Sequence, residues 1–90
     1  MDNTPVTHNE AKGQFEIALE NQTAFLSYRR SNDHISLVHT EVPEALRGKG
    51  LGAQLVHAAL DYARFNQLKI VPVCPFVKAY LQKHPEEQLP

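Results

Sequence analysis

From Gln14 the chain alternates. Phe15, Ile17 and Leu19 are separated by Glu16 and Ala18, the period-two pattern of a strand with one buried face. Glu20-Asn21-Gln22 is a polar break suited to a hairpin turn. A second strand follows over Thr23 to Arg30. Ala24, Leu26 and Tyr28 share one face and Phe25 lies on the other, which predicts cover on both sides. Ser31-Asn32-Asp33 makes the next turn. A third strand, His34 to Val42, puts Ile35 and Leu37 on one face and Val38 and Val42 on the other. The three strands predict an antiparallel meander.

Pro43 ends the third strand, and the period then changes. Leu51, Leu55, Ala59 and Tyr62 recur at helical spacing, with Val56, Ala63 and Phe65 widening the stripe. This predicts a helix from about Gly50 to Asn66. Lys69 to Val73 is a short apolar strand, and a strand–helix–strand unit of this length makes a right-handed parallel crossover. Pro72 cannot donate to a ladder, so that strand belongs at an edge. Pro75 suits the first turn of a second helix, which His84-Pro85 stops. Residues 1–12 are polar and aperiodic and read as a loose tail. Residues 13–85 form one domain, and 86–90 a flexible, solvated end. The fold class is α/β, an α+β mixed sheet with a crossover helix, a parallel edge strand and a C-terminal helix.

Composition narrows this little. Ninety residues, 42% of them hydrophobic, support one core and no second domain. A formal net charge of -1 argues against disorder and against broad nucleic-acid binding. A local basic patch could still form where Arg29, Arg30, Arg47 and Lys49 converge. One cysteine, Cys74, excludes an internal disulfide and fits a reducing, cytoplasmic setting. The N-terminus lacks the apolar region of a secretory signal, and no stretch approaches the ~18 apolar residues of a membrane span. The five histidines lack metal-ligand spacing, so no metal is expected.

The candidate chemistry sits at Arg47-Gly48-Lys49-Gly50-Leu51-Gly52, between the last meander strand and the helix. Three glycines leave backbone N–H groups uncovered, and the positive end of the helix faces them. Such a turn holds a pyrophosphate. The even glycine spacing after an antiparallel meander does not fit a dinucleotide-binding fingerprint. Gly52-Ala53 lacks the Lys-Ser/Thr pair of a Walker loop.

R-x-x-G-x-G at the entry to a helix in a β-β-β-α-β-α chain resembles the GNAT superfamily of acetyl-CoA-dependent N-acetyltransferases. Arg47, Gly50 and Gly52 match its signature. His39-Thr40-Glu41-Val42-Pro43 before it, and Val71 to Val77 with Tyr80 and His84-Pro85 after it, look like the small single-domain YjdJ-type branch. The similarity covers about residues 14–85. It implies a minimal GNAT-like fold with acetyl-CoA (coenzyme A) as ligand. By that resemblance the backbone around Val42 would pair with the pantetheine arm. The amides of Gly48, Lys49, Gly50, Leu51, Gly52 and Ala53 would grip the pyrophosphate, with the Arg47 and Lys49 side chains flanking it.

The family's usual tyrosine acid follows a pattern of Asn, Ala three on and Tyr seven on. Here those positions hold Cys74, Val77 and Leu81, and Tyr80 reads as a core aromatic. Cys74, just before a helix, would have a lowered thiol pKa. It either accepts the acetyl group, contacts the thioester, or is an inert core residue. His39 and Glu41 share a strand face and are the candidate bases. The segment Pro43–Arg47 is one residue longer than the family's usual spacing. The expected function is transfer of acetyl from acetyl-CoA to an unidentified amine by a monomer. The alternative is a coenzyme A binding module without turnover, suggested by the chain's small size.

Overall fold

The computed structural model describes residues 5–88. Strands β1 (Thr7–Asn9), β2 (Gln14–Leu19), β3 (Gln22–Arg30) and β4 (His34–Glu41) precede helix α1 (Leu51–Phe65). Strand β5 (Lys69–Pro72), helix α2 (Pro75–Lys83) and a 3-10 turn at Pro85–Gln88 follow. One sheet runs β1-β2-β3-β4-β5, antiparallel through β4, with β5 parallel to β4. This is the predicted mixed sheet with one strand added.

The added strand is β1, inside the segment expected to be a loose tail. Thr7–Asn9 pairs with Gln14–Glu16. His8 stacks on Phe15 with ring centroids 4.3 Å apart, meets the Tyr62 ring edge-on at 4.6 Å and hydrogen-bonds the Tyr28 hydroxyl. A segment that looks polar is thus held by an imidazole used as an aromatic face. Residues 1–4 of the expected tail, and 89–90 of the expected end, lie outside the described residues. Glu86 to Gln88, also read as a flexible end, sit in the closing 3-10 turn.

The β2–β3 hairpin closes with Leu19 opposite Gln22. Glu20 and Asn21 both take left-handed φ, 53 and 62 degrees. That is the two-residue turn whose twist matches the strands it joins.

The core lies on one face of the sheet. Phe15, Ile17, Ala24, Leu26, Ile35 and Leu37 meet Leu51, Leu55, Val56, Ala59, Leu60 and Ala63 of α1, and Val77 and Leu81 of α2 extend the same cluster. The other face is open: Ala18 is exposed and Phe25 only half-buried. The expected cover on both sides of β3 is therefore not found, because both helices pack on one side. The α1 stripe also stops short of Phe65, which is 88% exposed.

A bulge in β4 changes which residues face the core. Tyr28 lies opposite Leu37, but Ser27 lies opposite His39, so Val38 is the extra residue. Beyond it the parity reverses. Thr40 stands opposite buried Leu26, and Val42 packs on the core. Simple alternation put Val42 on the face away from Leu37, and the bulge returns it.

At the edge, the N–H groups of Lys69 and Val73 donate to the carbonyls of Asp33 and Leu37, at 2.9 and 3.1 Å. Odd-numbered residues of β5 thus donate to β4, and the Pro72 nitrogen falls on the outer edge, where no donor is needed. No described helix is long and apolar enough to cross a membrane.

If His8 anchors β1, His8→Ala should lower unfolding free energy by about 1–2 kcal/mol through lost ring stacking and a lost hydrogen bond. Urea unfolding checks this. A loose tail would leave the midpoint unmoved.

Candidate functional site

The β4–β5 ladder ends at Leu37 opposite Pro72. The Leu37 carbonyl accepts from two successive amides, Val73 at 3.1 Å and Cys74 at 2.9 Å. The chain then turns into α2, and β4 continues through Thr40 and Glu41 with only β3 beside it. Strand β5 therefore ends here while β4 runs on.

A cleft of about 390 Å³ lies beyond this point, lined by Thr40 and Val42 of the β4 end, Leu46 to Gly48, Gly50 to Ala53, and Phe76. The segment between β4 and α1 forms a 3-10 turn, Glu44–Leu46, which buries Leu46 completely. Arg47 donates from Nε to the Val42 carbonyl at 3.2 Å, closing this turn onto the strand. Lys49 Nζ lies 3.9 Å from Glu20 Oε2 in the β2–β3 turn. Both cations thus have protein partners beside the cleft.

The glycines differ in their reasons. Gly48 and Gly50 have φ of 84 and 77 degrees, where a Cβ is strained. Gly52 is an ordinary helical residue. A Cβ there would stand 2.7 Å from Cζ of Phe76, so a side chain at this position would have to displace the ring.

Gly50 is the N-cap of α1 and no side chain caps it. The first intrahelical bond is Gln54 N–H to the Gly50 carbonyl, 3.1 Å. The amides of Leu51, Gly52 and Ala53 thus have no partner within the helix. With no acidic side chain in the first turn, they present an uncompensated positive end to the cleft. This arrangement can bind an anion of phosphate type.

Cys74 is the N-cap of α2 and 4% exposed. Its Sγ lies 3.6 Å from Thr40 Oγ1. Burial pushes the thiol pKa up. Opposing it, the Val77 amide, the Thr40 hydroxyl and the amides of Phe76 and Thr40 favour the thiolate, and the net shift is downward. Cys74 does not itself line the cleft, but its partner Thr40 does.

His39 and Glu41 are brought together, Nε2 to Oε1 at 3.0 Å, with the His39 ring 5.9 Å from that of Phe25. They stand on the open sheet face, away from the cleft. Tyr80 packs against the core and stacks on His84 with ring centroids 4.4 Å apart, as a core aromatic does. Sequence reasoning missed Phe76. Its only sequence signal was an apolar residue early in a helix, on a face the core does not use. Among the described residues, no group of three or more metal-ligating side chains occurs.

Comparison with known proteins gives consistent results. The family model of the GCN5-related N-acetyltransferases matches residues 14–89. Protein NATD1 of Mus musculus is 35% identical over 86 residues, spanning 92% of this chain and 78% of its own. Protein NATD1 of Homo sapiens is also 35% identical, with 76% of its length covered. The NMR solution structure of a GCN5-like protein from Staphylococcus aureus matches with a TM-score of 0.75 and 34% identity, covering 98% of this chain and 87% of the other.

The thiol's surroundings predict a pH profile. The rate of iodoacetamide alkylation should have its midpoint below that of free cysteine, and Thr40→Val should raise it. Because the folded pKa is the lower one, this ionisation stabilises the fold. The gain is full above the unfolded pKa and is lost as pH falls through the folded one. Cys74→Ser should flatten that dependence in urea titrations.

Proposed function

The chain belongs to the GCN5-related N-acetyltransferase family, and on that premise we propose that it takes acetyl-CoA at this cleft and passes the acetyl group to an amine. The observation that carries the reading is the uncapped first turn of α1, whose free amides and left-handed glycines open onto the cleft. Free amides at a helix start suit a pyrophosphate. The end of β4, with Thr40 and Val42 on the cleft side, fits an extended arm leading towards Cys74.

Acetyl-CoA supplies an acetyl group already activated as a thioester. Residues Gly48 to Ala53 hold the phosphates, and Arg47 fixes the loop by gripping the Val42 carbonyl. The Cys74 thiolate is the nucleophile. Its sulfur bonds to the acetyl carbon as the donor's carbon–sulfur bond breaks, and the departing thiolate takes a proton from water. The acceptor amine then forms the carbon–nitrogen bond as the acetyl–Cys74 bond breaks, which restores the thiolate. His39, steadied by Glu41, takes the surplus amine proton. From the open face, this pair can serve only an amine that reaches the β4–β5 gap from that side.

One observation favours a second reading, a binding module without turnover. Among the described residues lining the cleft, Arg47 is the only ionisable one. No acid or base stands within the cleft itself.

Two experiments test these readings. In an amide NMR titration, acetyl-CoA should move the signals of Gly48 to Ala53 most. Ala53→Glu places a carboxylate at the anion site and should weaken binding at least tenfold, about 1.4 kcal/mol. It should not lower stability, because an acidic residue suits a helix's first turn. Unchanged affinity would remove the phosphate from this turn.

Cys74→Ser should abolish transfer of labelled acetyl while keeping coenzyme A affinity within about threefold. Transfer at the wild-type rate would mean direct attack by the amine. Binding without transfer to any amine in either protein would favour the module.

A further inference from the structure

Among the described residues, Phe76 is the only aromatic one lining the cleft, and 44% of it remains in solvent. It belongs to the first turn of α2, two residues after Cys74. Its ring tip lies on the first turn of α1. A Cβ on Gly52 would come within 2.7 Å of Cζ and 3.0 Å of Cε2, well inside van der Waals contact. The ring therefore reaches from the thiol end of the site to the anion-binding turn.

Gly52 has no conformational need to be glycine, since its φ is not left-handed. Alanine would be the better helix former. The backbone has been cleared for the ring, yet the ring's outer part faces the cleft and water. An aromatic surface exposed between an anion site and a thiol suits a ligand that is anionic at one end, reactive at the other and partly apolar between them.

We infer that Phe76 is the binding surface for the arm of the donor between its phosphates and its thioester, and that Gly52 is glycine so that the ring can lie against the anion-binding turn. The inference rests on the acetyl-CoA reading above. Gly52 and Phe76 then act as one device. Displacing the ring by a methyl group at position 52 and deleting it at position 76 remove the same contact.

The test compares acetyl-CoA with ADP, which keeps a pyrophosphate and lacks the arm, by NMR or calorimetric titration. Phe76→Ala should weaken acetyl-CoA by about tenfold or more and leave ADP within about twofold. Phe76→Tyr, which keeps the ring face, should bind acetyl-CoA within about threefold of wild type. Gly52→Ala should weaken acetyl-CoA, and the double variant should lose little more than Phe76→Ala alone. Urea unfolding of each variant separates loss of contact from loss of fold.

Equal losses for both ligands, no loss at all, or additive losses in the double variant would overturn the inference. If wild type binds ADP and acetyl-CoA equally, the arm has no site of its own and the inference falls while the anion site stands. If wild type binds neither, the acetyl-CoA reading falls and takes this inference with it.

Discussion

The double hydrogen bond to the Leu37 carbonyl organises the rest of the molecule. One acceptor serves two consecutive donors, Val73 and Cys74, so the parallel ladder cannot advance another step. The β5 chain is released into α2 at the point where β4 bulges at Val38. A continuous sheet would have sealed β4 on both edges. Instead, one edge of β4 beyond Leu37 is left without a strand partner, next to the starts of both helices. Leu37 itself is fully buried, so its carbonyl is held in place by the core. The cleft is a consequence of that fixed branching point.

Much of this was legible in the sequence, because hydrophobic period and glycine placement are local signals. The β2–β4 meander, the crossover helix, the edge position of Pro72 and the glycine turn all follow from residues close together in the chain. What was not legible depends on partners distant in sequence. β1 hides in a polar segment because His8 contributes a ring face to Phe15 and Tyr62, which no hydropathy pattern records. The bulge leaves no mark in alternation, since Val38, His39 and Thr40 fit either parity. Gly52 looked like a third turn glycine, and only the Phe76 ring shows why it lacks a side chain.

The cations of the loop teach a related lesson. Arg47 and Lys49 read as groups waiting for a phosphate. In the folded chain, Arg47 holds the Val42 carbonyl and Lys49 approaches Glu20. Exposed pairs of this kind are weak and exchange readily. The lasting positive potential beside the cleft therefore lies in the backbone, in first-turn amides of α1 that have no partner within the helix. A site built this way tolerates change in its charged side chains more readily than change in its turn geometry.

Both helices begin at the cleft, and this alignment lets so short a chain build a site. The first turn of α1 offers its free amides to an anion, and the N-cap of α2 offers the same kind of field to a thiol. The two positive ends favour negative charge at each helix start. Phe76 and Gly52 bring the two helix starts into contact, so the distance between those fields is set by packing and not by loop conformation. His39 and Glu41 lie outside that field, across the sheet. The separation divides the molecule chemically. One side stabilises negative charge, and the other carries the one imidazole–carboxylate pair beside the β4 bulge, the side on which a cationic amine meets no opposing helix dipole.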